Sequence, residues 1–354
     1  MATPATTAPI LVTGASGYIA GWIIKYLLDE GYTVHGTVRD PNKASSVAHL
    51  KKLAENAPGT LRLFKADLLD EGSYDEAAQG CEIVMHTASP FLLGGFKDAN
   101  AALVRPAVEG TRNVLGSVNR AASVRRVVLT SSVVSVFGDN MDMKNTPKGI
   151  FTEADWNTTS TVDHNPYSYS KVAAEREAWD INKAQSRWDL VTINPGLVLG
   201  PALVANSQSA SIDTLQQMGD GRLRTGVPDI SFGVVDVRDV ARMHLLAAFL
   251  PTAKGRYLSS NVELSLIQIA GILRQHFGKA YPFPTMVVPK FVAWLVGPIL
   301  GPVTREFISK NVGWPLKFDN SRSRNELGIK YIPIEQTINE HFQQMLDDGL
   351  VKKR

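Results

Sequence analysis

Cysteine is almost absent: the 354-residue chain has one, Cys81. An internal disulfide is thereby excluded, as is a cysteine-based zinc site, and a reducing compartment is favoured. No charge sign dominates either. Lys and Arg number 37 against 34 Asp and Glu, a net charge of +3, and the charges are interspersed, so nothing points to a nucleic-acid surface. The histidines at 35, 49, 86, 164, 244, 276 and 341 show no metal-ligand spacing, and no metal is expected. The start, MATPATTAP, has neither the basic n-region nor the apolar core of a secretory signal. It reads as a short disordered arm over residues 1–8. The most apolar late segment, PKFVAWLVGPILGPV at 289–303, falls short of the roughly 20 residues that cross a bilayer. Pro298 and Pro302 also interrupt it, and it reads as a buried helix followed by a turn in preference to the alternative, a membrane-surface patch. A cytoplasmic protein without membrane or nucleic-acid partners is expected, a monomer or homodimer.

What is present is enough apolar residue, 44%, for a substantial core and about two domains. PILVT (9–13) is a short apolar run ending at Gly14 and reads as a buried strand. Ile19, Ile23, Ile24, Leu27 and Leu28 then share one helical face, and Gly31 stops that helix. Strands follow at 32–40, 61–67, 81–89, 125–132 and 189–196, with helices at 109–123 and 169–185. Apolar, β-branched strands alternating with helices predict an α/β fold, a doubly wound parallel sheet of the Rossmann type. After Gly196 the alternation weakens, and a smaller, mixed α/β substrate-binding region is expected. The expected division is a dinucleotide-binding domain over 9–200 with 232–260, and a substrate region over 201–231 with 261–354. The stretch 232–249 reads as a strand and helix returning to the main domain.

TGASGYIA (13–20) lies where the first strand becomes the first helix. Gly14 and Gly17 permit a tight turn and the approach of a diphosphate to the helix N-terminus, and Ala20 permits close packing. A fingerprint for NAD places an acid about 20 residues on, but that count reaches Thr37, followed by Arg39 and Lys43. An arginine binds a ribose 2′-phosphate that a carboxylate would repel, so NADPH is expected. The alternative leaves Arg39 and Lys43 as surface charges and gives the ribose to Asp40. Asp67 ends a strand on the adenine side of such a fold. His86, alone at a strand end, reads as a satisfied packing residue.

PYSYSKVAAE (166–175) offers two tyrosines and a lysine. Residues four apart stack on one helical face and residues two apart do not, so Tyr167, not Tyr169, shares a wall with Lys171. A nearby ammonium is expected to lower the phenol's pKa and fit it for proton delivery. LTSSV places Ser131 and Ser132 at the C-terminal edge of the sheet, where open α/β folds bind ligands, and a serine there can hold a carbonyl oxygen.

Together these residues resemble the extended short-chain dehydrogenase/reductases over nearly the whole chain. TGASGYIA resembles their TGxxGxxG/A loop, YSYSK their YxxxK, and LTSSV carries their serine. TVRDP, HTASPF, INPGLVLGP and VDVRDVARMH are similar to the dihydroflavonol 4-reductase-like branch, which includes plant cinnamoyl-CoA reductases and microbial carbonyl, methylglyoxal and aldehyde reductases. The resemblance implies a catalytic set of Ser132, Tyr167 and Lys171 and reduction of a ketone or aldehyde, with Tyr167 as proton donor. It implies cofactor contacts from Gly14, Ser16, Gly17, Tyr18 and Ile19, from Arg39 and Lys43 at the 2′-phosphate, and from Asp67 and Leu68 at the adenine. Thr87, Ala88, Ser89 and Thr130, with Pro195, Gly196 and Val198 and with Tyr167 and Lys171 themselves, complete the set around the nicotinamide. Phe91, Ser132 and Phe137 are placed as substrate-lining. LLGGFKD after HTASPF and the region 201–230 depart from the plant pattern, so chemistry is carried over and substrate is not. A nucleotide-sugar epimerase, a hydroxysteroid dehydrogenase or a non-enzymatic NADP(H)-sensing module would share the scaffold.

Overall fold

The computed structural model of the protein describes residues 6–90, 98–204, 210–300 and 303–352. Phe91 and residues 1–5 of the expected arm lie outside them. The first half alternates without exception: β1 (Ile10–Thr13), α1 (Tyr18–Asp29), β2 (Thr33–Val38), α2 (Ala44–Glu55), β3 (Thr60–Lys65), α3 (Asp75–Ala78), β4 (Ile83–His86), α4 (Arg105–Arg120), β5 (Arg126–Thr130), α5 (Pro166–Lys183) and β6 (Asp189–Pro195). The second half is less regular: β7 (Leu197–Leu199), α6 (Ala210–Gly219), β8 (Val227–Pro228), β9 (Ser231–Asp236), α7 (Val237–Phe249), β10 (Gly255–Ser259), β11 (Val262–Ser265), α8 (Leu266–Phe277), β12 (Val287–Val288), α9 (Lys290–Leu300), α10 (Arg305–Asn311), α11 (Ser321–Asn325) and α12 (Ile334–Asp347).

Among the described residues the main sheet has seven strands in the order β10-β6-β5-β4-β1-β2-β3, every pair parallel. Successive side chains of a strand face opposite ways, and the core divides accordingly. Ile10 and Val12 pack with Ile23 and Leu27 of α1 and Val240 of α7. Leu11, between them, packs with Leu115 and Val118 of α4 and Ala178 of α5. Strand order reverses between β1 and β4, which opens a crevice at their C-terminal ends, the place where doubly wound sheets bind ligands.

A three-stranded sheet, β11-β9-β7, stands apart from the main one. The segment 232–249 thus parts company with itself: α7 packs on the main sheet through Val240, Ala241 and Met243, whereas β9 joins the smaller sheet. Its neighbour β7 follows directly on β6, so the chain passes from one sheet to the other at Gly196. A Cβ at Gly196 would fall 2.1 Å from the carbonyl oxygen of Gly233, so no other residue fits this crossing. Within the apolar segment 289–303, α9 (Lys290–Leu300) is a helix but not a buried one, and the expected turn falls on residues 301–302, outside those described. Phe291 is 68% exposed and Ile299 81%, because only the opposite face packs, with Gly297 close against Ile308 of α10. No helix among the described residues is long and apolar enough to cross a membrane.

Candidate active site

The crevice begins with the glycine loop after β1. Gly14 adopts the left-handed conformation, φ +67, and a Cβ on it would lie 3.0 Å from the Cα of Ala88. Gly17 caps α1 without a side-chain hydrogen bond, and no acid occupies the first turn. The open N–H groups of that turn therefore suit an anion, and the bare backbone leaves room for a dinucleotide diphosphate. Thr13 fastens the loop to the end of β4: its hydroxyl oxygen accepts the N–H groups of Thr87 and Ala88 at 3.1 and 3.0 Å and contacts His86 Nδ1 at 2.9 Å. His86 is thus a satisfied buried residue, and burial, with Lys171 adding to it, pushes its pKa down to about 4.

Thr37, where an acid would stand in an NAD site, is stitched to the same loop through Ala15 N–H to its carbonyl, 2.8 Å, and Gly14 N–H to its hydroxyl, 3.2 Å. Arg39 follows, exposed and in no ion pair among the described residues. The Asp40 carboxylate is engaged in its own turn, accepting Asn42 N–H at 2.9 Å. Lys43 is exposed just ahead of α2. Asp67 lies exposed beyond β3, its Oδ1 accepting Leu69 N–H at 2.9 Å. Leu68 is gripped by Asn113, whose Nδ2 donates to its carbonyl at 3.2 Å. Asn113 gave no signal in the sequence.

From the glycine loop a cavity of about 420 Å³ runs along the strand ends. Gly17, Tyr18 and Ile19 form one end of its wall, and Thr130, Pro195, Gly196 and Val198 another part. Ser132, Tyr167 and Lys171 meet on it, with Phe137 on the side toward Phe307 and Leu316. Gly14, Ser16, Arg39, Lys43, Asp67, Leu68 and Ala88 are off this wall, in the loops that follow β1, β2, β3 and β4. Ser132 leaves β5 and caps a short 3-10 turn, accepting Val134 N–H at 3.3 Å and donating to the Pro195 carbonyl at 3.4 Å. Tyr167 and Lys171 stand one turn apart at the start of α5, the ammonium 5.6 Å from the ring centroid. Lys171 Nζ also donates to Ser89 Oγ at 2.9 Å. Tyr169 is not on the cavity wall.

The electrostatics differ from expectation. Burial pushes Tyr167 up to about 12 and Lys171 down to about 8. The phenol is therefore raised rather than lowered. Desolvation sets the direction at the phenol, and the Lys171 ammonium over its ring donates to Ser89. The aromatic residues beyond 280 also divide: Tyr281 and Phe283 belong to the C-terminal core with Phe342, and Phe307 reaches the cavity. Among the described residues no group of three or more His, Cys, Asp or Glu side chains is placed to hold a metal ion.

A parallel sheet wound both ways, a glycine loop at its switch point and a Ser, Tyr and Lys set beside it define a dinucleotide-dependent oxidoreductase. The chain belongs to the NAD dependent epimerase/dehydratase family, whose model matches residues 10–261, and within these extended short-chain dehydrogenase/reductases to the dihydroflavonol reductase-like branch. It is 37% identical to cinnamoyl-CoA reductase CAD2 of Medicago truncatula over 95% of each chain. It is 35% identical to tetraketide alpha-pyrone reductase 1 of Arabidopsis thaliana over 96% of each. Among solved structures it is similar to yeast methylglyoxal/isovaleraldehyde reductase Gre2 complexed with NADPH, at a TM-score of 0.77 and 27% identity, covering 97% of this chain and 100% of that one. Gre2 of Candida albicans in complex with NADPH gives a TM-score of 0.76 at 28% identity, over 96% and 99%. The chain is an NAD(P)-dependent reductase.

Proposed function

We propose that the protein is an NADPH-dependent carbonyl reductase that converts ketones or aldehydes to alcohols. The observation that carries this reading is the convergence of Ser132, Tyr167 and Lys171 on one cavity wall that continues into the glycine loop. NADPH, when bound, supplies the hydride. Gly14, Gly17 and the first turn of α1 would hold its diphosphate, and Arg39 its 2′-phosphate, with Asp40 already committed to a turn. That Gre2 was solved with NADPH supports the same choice.

Ser132 presents a hydroxyl to the carbonyl oxygen, where negative charge develops. Tyr167, held protonated by burial, gives that oxygen its proton. Lys171 keeps an ammonium at neutral pH, which favours the phenolate left behind. The substrate side of the cavity carries Val133, Val134, Phe137, Phe232, Phe307 and Leu316, and Lys171 is its only charged residue among those described. It suits an uncharged carbonyl on an apolar or aromatic body. The likeness to a cinnamoyl-CoA reductase and a tetraketide alpha-pyrone reductase makes a cinnamoyl-CoA and a tetraketide alpha-pyrone natural members of the trial set.

The test is consumption of NADPH and of NADH against aldehydes, α-keto esters, aryl ketones, a dihydroflavonol and a cinnamoyl-CoA. Carbonyl-dependent oxidation of NADPH with alcohol formed is the expected result. Bound NAD with turnover of nucleotide sugars, or tight NADPH binding without any turnover, would overturn the reading.

A further inference from the structure

The catalytic helix α5 starts from an unusual residue. Asn165 has φ 56 and ψ 55 and is the only non-glycine with positive φ among the described residues. Pro166 after it disfavours the right-handed helical region, and asparagine is among the few side chains that tolerate the left-handed one. Its side chain is fastened: Nδ2 donates to the Gly138 carbonyl at 3.1 Å and to Asp139 Oδ1 at 2.9 Å.

Asp139 is completely buried and gathers more than this bond. Its Oδ1 also accepts Asn311 Nδ2 at 2.6 Å, and its Oδ2 accepts His164 Nε2 at 2.7 Å, with Lys310 Nζ 3.9 Å away. Asn311 in turn accepts Asn140 N–H at 2.9 Å. Asn140, Asn165 and Asn311 all line the cavity. One carboxylate thus joins three segments that bound the site: the loop after β5, the entry to α5 and the end of α10.

We propose that Asp139 is a positioning residue for proton delivery: it holds Asn165 left-handed, which sets Tyr167 two residues on, and it draws the α10 wall to the same point. This rests on the reading of Tyr167 as proton donor. A carboxylate accepts all three N–H donors that converge there at once. An amide must turn an N–H toward one of them: toward Asn165 or Asn311 it displaces a donor, and toward His164 it is held only when the ring moves its proton from Nε2 to Nδ1, with the charge facing Lys310 lost in every case. Asp139→Asn therefore disturbs the arrangement at almost unchanged volume. Asn165→Gly is the companion variant, since glycine keeps the left-handed backbone without strain and removes only the side-chain hold.

The experiment compares wild type, D139N, N165G and the double variant by NADPH dissociation constant, kcat, carbonyl KM and the solvent deuterium isotope effect on kcat. D139N is expected to bind NADPH within about twofold of wild type and to lose roughly 10–100-fold in kcat, the scale of a small misplacement of reacting groups. Its solvent isotope effect should rise, because proton delivery becomes the slow step. N165G should show the same signature more weakly, and the double variant should be no worse than D139N, as for residues that act as a unit. A D139N kcat per NADPH-binding site within about twofold of wild type, or a loss with an unchanged isotope effect, would overturn the proposal and leave Asp139 a merely structural residue. If D139N does not fold, N165G decides by the same isotope effect. If wild type reduces no carbonyl, the proposed activity has failed by itself. Backbone amide exchange over 164–171 then judges Asp139: faster exchange in D139N supports the hold, and unchanged exchange refutes it.

Discussion

The hydroxyl of Ser131 donates to the buried carboxylate of Glu175, whereas its neighbour Ser132 turns to the Pro195 carbonyl on the cavity wall. Glu175 stands one turn beyond Lys171 on α5 and is 1% exposed. It also accepts Asn194 Nδ2 at 2.7 Å and Arg256 Nε at 2.6 Å. Asn194 Nδ2 reaches the Ser132 carbonyl at 3.1 Å as well. The first serine is thereby part of the clamp that fixes α5 on the sheet, and the second stays on the cavity wall, where the proposed mechanism gives it to substrate. Ser132→Ala is expected to lower kcat by about 10²–10³, the range for losing one donor to a developing oxyanion. Ser131→Ala should instead cost about 1–3 kcal/mol of stability with kcat nearly retained. Thermal melts beside steady-state kinetics separate the two, and equal kinetic losses would mean the assignment of roles is wrong.

The tyrosines admit the same kind of separation. Tyr167→Phe should lower kcat by about 10²–10⁴, the usual reach of a general acid, with NADPH affinity kept. Tyr169→Phe should stay within a few-fold. The pH profile carries a sign. Lys171 titrates near 8 because burial lowers it, and Tyr167 near 12 because burial raises it. Turnover is therefore expected to fall as pH rises through about 8, through loss of the ammonium and not of the phenol's proton. A profile flat to pH 10 would contradict this.

Much of this was legible from residue order, and the limits are physical. PILVT followed by Gly14, and Tyr167 with Lys171 at helical spacing, are local patterns, and β1, α1 and α5 sit where they predict. Glu175, Asn194 and Arg256 are brought together from α5, β6 and β10, and no spacing announces that. The choice between Ser131 and Ser132 depends on this clamp, so the family resemblance rather than spacing picked out Ser132. The sign of the Tyr167 shift failed because spacing reports a neighbour but not desolvation. The exposure of α9 failed for a related reason. Apolarity tells that a helix is greasy and not which of its faces meets α10. The three- and four-residue strands β7 and β11 are too short for any periodicity.

Arg39 makes the cofactor preference testable by itself. It is exposed and unpaired among the described residues, on the loop bound to the glycine turn through Thr37. Losing a charge-assisted bond to phosphate of about 1.5–3 kcal/mol corresponds to a rise of roughly 10–100-fold in the NADPH KM for Arg39→Ala. The KM for NADH, which has no 2′-phosphate, should hardly move. An equal effect on both cofactors would return Arg39 to the surface charges and reopen the part of Asp40.

Stability should depend on pH through buried histidines. His86, His244 and His341 are each pushed down to about 4, chiefly by burial. At His341 the geometry adds a reason: Nδ1 accepts Gly200 N–H at 3.1 Å, so a proton placed there would break that bond. A histidine in the unfolded chain titrates near 6.5. Between about 6.5 and 4 the unfolded state therefore binds protons that the folded state refuses, and stability is lost as pH falls through that window. Asp239 opposes this, since burial raises it to about 6 and the folded state gains its proton first. A difference measurement isolates the histidine contribution. His341→Gln, whose amide oxygen can accept the Gly200 N–H, should show a flatter decline of Tm between pH 7 and 4.5 than wild type. A decline of the same steepness would mean that His341 already carries its charge in the folded protein.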